Sequence, residues 1–187
     1  LVIPSLLQWD LSMDIPPENA TSLSNFIASG GQMIIHGNRD NRYPARLLNK
    51  IFGWELQETN AYSQPFTLTS QARQTTFAEG PNMLPYNFYI TINTGALLTN
   101  TLPAGAVNVY GYGDQTVVAL FEVGYGNLIY LGWNCNNAAP NGTLNGGWID
   151  VLNCALKQPV PSSPMPPLIL SPMWPRTMAR GMTATFE

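Results

Sequence analysis

His36 is the chain's single histidine, and it ends a short apolar run, Gln32-Met33-Ile34-Ile35-His36, before Gly37 and Asn38. A histidine at a strand's C-terminal end can serve as a general base, and Asp40 is close enough in sequence to orient it. Nucleophilic catalysis also needs a positioned serine or cysteine. Ser29, ahead of Gly30-Gly31, lies at the wrong end of this strand. Cys135 and Cys154 are the only cysteines. Cys135 falls just past a second apolar run, where catalytic residues often stand. An even cysteine count in a chain with secretory features also reads as one disulfide, Cys135–Cys154, tying the loop after that run to the last helix. Such a closure is worth about 3 kcal/mol in the chain-entropy model. Two buried free thiols are the third reading.

One histidine and two cysteines without a close-spaced pair do not suggest a metal site. Asp10, Asp14 and Glu18 lack the spacing of a calcium loop and read as solvating a helix start. No cofactor is expected. Arg39, Asp40 and Arg42 form the densest charge cluster and read as paired surface charges. Five tryptophans and eight tyrosines raise the question of sugar stacking. Trp133, at a strand's C-terminal end, is the best placed, and His36, Asn38, Trp133 and Asn134 form the candidate ligand-binding set.

The elements that must position these residues are legible in outline. Leu1 to Leu7 reads as a strand and Asp10 to Ile15 as a loop. Pro16 and Pro17 suit a helix start, with Leu23, Phe26 and Ile27 on one face and Gly30 as its stop. Gln32 to His36 is the next strand, so the unit is a βαβ crossover with parallel strands. A second helix is expected from Tyr43 to Phe52, with Leu47, Leu48 and Ile51 inward and Gly53 ending it. A short strand is expected within Trp54 to Thr59. From there to Leu102 the pattern degrades to an irregular insertion with one or two antiparallel strands, including Phe66–Thr69 and Phe88–Ile92.

Regularity returns with Val107–Tyr110, Thr116–Val123 and Asn127–Trp133. Two tight turns, Gly113-Asp114 and Gly124-Tyr125-Gly126-Asn127, make these strands antiparallel neighbours. Trp148 to Leu156 is a helix. Residues 158–167 read as a proline-rich linker. Residues 168–187 read as the start of a following β-rich module, in which Met173, Trp174 and Met178 must pack against something.

The 187 residues suffice for one domain with a core and a short appendage. Net charge is −3, which gives no footprint for a nucleic-acid partner. Charged residues are 10% of the chain, against about 25% in typical domains, and Asn, Thr, Ser and Gln supply the polarity. Two sequons, Asn19-Ala20-Thr21 and Asn141-Gly142-Thr143, fit an extracellular or cell-surface glycoprotein. No apolar run reaches the roughly 20 residues of a membrane span. The chain opens inside an apolar run, as expected of a fragment.

The helix, Ser29-Gly30-Gly31, the apolar strand after it, the closing Gly126-Asn127-Leu128-Ile129-Tyr130-Leu131-Gly132-Trp133-Asn134, the loop and the terminal helix together resemble the class I glutamine amidotransferase-like superfamily. Its ThuA-like and flavodoxin-like relatives are the nearest in character. The resemblance covers residues 1–157. It implies a three-layer αβα sandwich around a flavodoxin-like, mostly parallel sheet, here with an antiparallel C-terminal hairpin and an extended tail. Active members carry a cysteine at a strand-to-helix elbow and a His and Glu after a later strand. Here Gly37-Asn38 stands at the elbow and Trp133-Asn134-Cys135 after the closing strand, which points away from amidotransferase activity. His36 falls near a histidine of the ThuA-like members.

The expectation is therefore a non-catalytic extracellular structural or adhesive module. Its partners would be other modules of the same chain or other extracellular proteins. The alternatives are a carbohydrate-binding module using Trp133 and its loop, with glycans as ligands, and a degenerate hydrolase centred on His36.

Overall fold

The computed structural model describes residues 1–5, 10–38, 42–61, 64–85, 94–135 and 146–161. The chain opens on β1, Val2–Ile3. Asp10, expected in a loop, instead caps a single helical turn, α1, Leu11–Asp14: its carboxylate accepts from the Ser12 backbone N–H at 3.1 Å. That bond satisfies an otherwise orphaned donor, so a short polar stretch can hold a helical turn. Helix α2, Pro17–Ala28, starts on Pro17 and buries Ala20 and Ile27. Gly30, with φ of 109°, turns the chain into β2, Gln32–His36. Helix α3, Tyr43–Phe52, buries Leu47, Leu48 and Ile51 and ends on Gly53 in the left-handed region, a conformation glycine adopts at no steric cost.

The stretch that follows is built from short pieces. These are β3, Glu58–Asn60, β4, Phe66–Leu68, two 3-10 turns, Gln71–Gln74 and Thr76–Glu79, then β5, Met83–Leu84, and β6, Gly95–Leu98. The expected strand Phe88–Ile92 lies outside the described residues. Three longer strands then run as a meander: β7, Val107–Tyr112, β8, Gln115–Val123, and β9, Gly126–Leu131. Helix α4, Trp148–Lys157, buries Trp148, Val151, Cys154 and Ala155.

Among the described residues the sheet order is β1-β2-β9-β8-β7-β4-β5. Strands β1, β2 and β9 are mutually parallel, with Val2 opposite Ile34 and Ile34 opposite Ile129. Strand β8 holds two partners on one side. Residues 118–123 pair with β9, and Thr116 and Gln115 pair with β6, which in turn pairs with β3. The fold is thus mixed α/β, and the mostly parallel sheet expected from the sequence is not what forms. Pairings β1–β2 and β2–β9 are parallel, and the other six among the described residues are antiparallel. The reason is connection length. Tight turns impose antiparallel pairing on β7, β8 and β9, and the short pieces described between α3 and β7 pair antiparallel with the same meander or with one another.

Each face of the sheet has its own apolar cluster. Ile34, Val118, Leu120, Ile129, Leu131 and Trp133 pack with Trp148, Val151 and Ala155 of α4. Met33, Ile35, Ala119, Phe121, Leu128 and Tyr130 pack with Ile27 of α2 and Leu47, Leu48 and Ile51 of α3. Adjacent residues of β2, β9 and β8 from Val118 onward alternate between the two clusters, which is why these strands read as unbroken apolar runs.

The glycines around β9 are set by close backbone approach. A Cβ on Gly126 would lie 2.0 Å from the Ile27 carbonyl oxygen, and one on Gly132 would lie 2.1 Å from that of Gly95. The first residues of the expected linker are hydrogen-bonded to the sheet. The Gln32 side-chain amide donates to the carbonyls of Ala155 at 3.1 Å and Gln158 at 3.0 Å, and the Asn127 amide donates to Pro159 at 2.6 Å. These bonds tie residues 158 and 159 to the starts of β2 and β9. The rest of the expected linker and the following module, residues 162–187, lie outside the described residues.

Candidate functional site

Parallel β2 and β9 end side by side, His36 opposite Leu131, so their C-terminal exits share one location. This brings His36, Trp133 and Cys135 together, although about a hundred residues separate the first from the others. His36 is 3% exposed. Its Nδ1 lies 3.0 Å from the Trp133 carbonyl oxygen and 3.4 Å from Cys135 Sγ. A carbonyl oxygen only accepts, so Nδ1 carries the proton and donates to Trp133. The nitrogen that faces the thiol thus has no lone pair to offer it.

Burial reinforces this arrangement. Desolvation holds the His36 imidazole below its usual range, against the opposing pull of the Trp133 carbonyl, and desolvation pushes the Cys135 thiol up. A neutral imidazole beside a neutral thiol is the opposite of an activated ion pair. Cys135 has φ of 61°, a left-handed conformation that costs a side-chain-bearing residue about 1 kcal/mol.

Cys135 and Cys154 stand as free thiols in the structure, which does not favour the expected disulfide. The two sulfurs face different neighbours. Cys135 meets His36, whereas a Cβ on Gly80 would meet Cys154 Sγ at 3.5 Å, on the side of α4 that packs on the Thr76–Glu79 turn. Cys154 is 6% exposed and burial raises its thiol.

On the opposite face of the sheet, behind the same strand ends, lies a second polar group that the sequence reading missed. The Tyr130 hydroxyl donates to Glu58 Oε1 at 2.6 Å, and the Ala45 backbone N–H donates to Glu58 Oε2 at 3.2 Å. The Asn38 backbone N–H also donates to this carboxyl. Arg42 precedes α3 and supplies no side-chain cap, so Glu58 satisfies a donor of that helix's first turn from another strand. Glu58 is 4% exposed, and burial raises its carboxyl to about 7 despite these bonds and the nearby Arg42 charge. Burial and the Glu58 carboxyl together hold the Tyr130 phenol well above its usual range. A Cβ on Gly37 would stand 2.4 Å from the Tyr130 hydroxyl, and one on Gly95 would stand 2.7 Å from Glu58 Oε1. Both glycines are spaces for this pair.

A cleft of about 410 Å³ borders Glu58, with Arg42, Arg46, Leu56 and Leu98 among its walls. Arg46 is committed to Asp10, Nη1 to Oδ2 at 3.0 Å. Two clues to the pair were in the sequence. A tyrosine inside the run Leu128-Ile129-Tyr130-Leu131 has a hydroxyl that must find a partner. An acid two residues after Leu56 shares its strand face. Nothing in the sequence joins the two.

The other candidates fall as follows. Asn38 is buried and belongs to the Glu58 side, and Asn134 is half-buried. Asn19 is exposed in the first turns of α2. Ser29 ends α2, at the far end of β2 from His36. Asn141, Arg39 and Asp40 lie outside the described residues, as do Trp9 and Trp174. Trp133 is 0% exposed and stacks on equally buried Trp148, ring centroids 6.0 Å apart. It offers no surface to a sugar. Trp54 lies between Phe52 at 4.5 Å and Phe121 at 5.0 Å, so both its faces are occupied. Among the described residues no group of three or more metal-binding side chains is assembled, and no helix is long and apolar enough to cross a membrane.

No protein-family model matches the chain, and no curated protein matches it. Among solved structures it is similar to the mmIFT52 N-terminal domain, at 12% identity and a TM-score of 0.49, over 74% of this chain and 70% of that one. It is also similar to the exo-β-1,4-mannosidase Op5Man5 from Opitutaceae bacterium strain TAV5, at 16% identity and a TM-score of 0.39, over 74% of this chain and 21% of that one. At these values neither likeness assigns a role to this chain.

Proposed function

We propose that this chain is a non-catalytic structural or adhesive module of a larger extracellular or cell-surface protein, built as an amidotransferase-like αβα domain. The observation that carries the reading is the orientation of His36. Its proton-bearing nitrogen is turned to the Trp133 carbonyl and to Cys135 alike, so the one histidine cannot draw a proton from the one thiol beside it. Glu58, the buried acid among the described residues, is spent on Tyr130 and the α3 terminus. Parallel β1, β2 and β9, with helices against both faces, support the αβα reading. Exposed Asn19 and the weakly charged composition support the extracellular one.

The test is turnover of a panel of ester, amide and glycoside substrates by the intact protein, with His36→Ala and Cys135→Ala alongside. The reading predicts no turnover that either substitution removes. Turnover lost in both variants while the fold is retained would establish a working pair and overturn it.

A further inference from the structure

Helix α4 is covered on one flank and bare on the other. Its Cys154 flank packs on the Thr76–Glu79 turn. Leu152, Ile149 and Leu156 recur at helical spacing on the flank away from that turn, and the Gln32 amide at the start of β2 donates to the Ala155 carbonyl, which sets this end of α4 beside β2. Leu152 is half-buried, but Leu156 is 54% and Ile149 37% exposed. Beyond the helix end Val160 is 39% exposed. The sheet face beneath α4 has an exposed apolar residue of its own. Val2 pairs with Ile34, whose side chain lies in the cluster beneath α4, so Val2 points to that face, where it is 50% exposed. On the other face Ile3, its neighbour, is buried against α2 and α3. An apolar shelf thus runs between α4 and the edge strand.

We infer that this shelf is the seat of the chain's own C-terminal segment, with Leu168-Ile169-Leu170 and Met173-Trp174 lying along Leu156, Ile149 and Val2. The chain reaches the shelf by construction. Gln158 and Pro159 are pinned to Gln32 and Asn127, which delivers residue 161 beside β2. The sequence of residues 162–167 is proline-rich, and six residues of such a chain can reach about 19 Å at roughly 3.1 Å per residue. Helix α4 is about 15 Å long at 1.5 Å per residue, so residue 168 can meet any point of its flank. Residues 164–175 contain no charged side chain, which matches a strip whose exposed members are aliphatic. Tethering raises the local concentration of the segment, so a small apolar contact is enough to hold it.

Hydroxyl-radical footprinting of the full chain tests this against an Ile169→Asp variant. The expected result is that oxidation of Leu156, Ile149 and Val2 rises about threefold in the variant. Met13, exposed in both, and Ile27, buried in both, stay unchanged and separate uncovering from unfolding. If Ile27 also becomes reactive, Leu168→Asp replaces the first variant. Equal oxidation of the shelf with and without the substitution overturns the inference and assigns the tail to another module. Protection that grows with protein concentration also overturns it, because the occupant is then a second copy.

Discussion

Nδ1 of His36 stands 3.4 Å from Sγ of Cys135, and the hydrogen on that nitrogen is directed to the carbonyl of Trp133. The pair is close without being coupled for proton transfer. Sequence placed these residues on separate strand ends. The parallel pairing of β2 with β9 makes them neighbours, and burial keeps both neutral.

The first prediction concerns thiol reactivity. Burial raises Cys135, so its alkylation by iodoacetamide should show a midpoint above the ordinary thiol range. His36→Ala should change the rate at neutral pH by no more than about twofold. A midpoint near neutrality that disappears in His36→Ala would show an activated cysteine.

The second concerns pH and stability. Glu58 rises from 4.5 to about 7 on folding, so the native state keeps a proton that the unfolded chain releases earlier. Its contribution is fully present below about pH 4.5 and is lost as pH rises through about 7, of order 3 kcal/mol in all. His36 acts in the opposite sense. Its folded value is lowered, so its burial costs stability once pH falls below the unfolded value of 6.5. Glu58→Gln isolates the first effect. In denaturant titrations the wild type should lose stability relative to this variant between about pH 5 and pH 8. A difference independent of pH would contradict the burial of an ionisable Glu58.

The third concerns the glycines. Gly126→Ala would drive a methyl into the Ile27 and Gly31 carbonyls, at 2.0 and 2.2 Å, and should cost about 3 kcal/mol or more. Gly53→Ala meets no atom within 4 Å and bears only the left-handed backbone cost of about 1 kcal/mol. Thermal denaturation that ranks the two equally would contradict this account of the β9 turn.

The fourth concerns Trp133. Its ring is fully buried on Trp148, so Trp133→Ala should cost about 3–5 kcal/mol of stability. It should leave a glycan-array profile unchanged. Loss of a specific sugar signal without loss of stability would restore the carbohydrate reading.

How much of this was legible depends on how locally each element is determined. Strand β2 and helix α3 have the bounds that their periodicity and stop residues predict, Gln32–His36 and Tyr43–Phe52. Both carry their own punctuation, Gly30-Gly31 before the one and Gly53 after the other. The β7–β8–β9 meander was equally legible, because its turns are short. The stretch between α3 and β7 was not. Strands β3, β4, β5 and β6 are two to four residues long, below the length at which alternation becomes a signal. Their pairing is set by partners such as β8, which no local pattern names. The site was half legible for the same reason. His36 and Cys135 stood out as residue types, but Glu58 and Tyr130 meet only because β3, β6 and α3 assemble around β9. The separate settings of Cys135 and Cys154 were not legible, because an even cysteine count says nothing about the direction in which each sulfur points.

The most direct measurement is the protonation state of the His36 ring, read from its nitrogen chemical shifts at neutral pH. The expected ring is a neutral imidazole protonated at Nδ1 that takes up its second proton at lower pH than an ordinary histidine. A ring with bare Nδ1 turned to Cys135, or an imidazolium beside a thiolate, would contradict it and make this pair a candidate for catalysis.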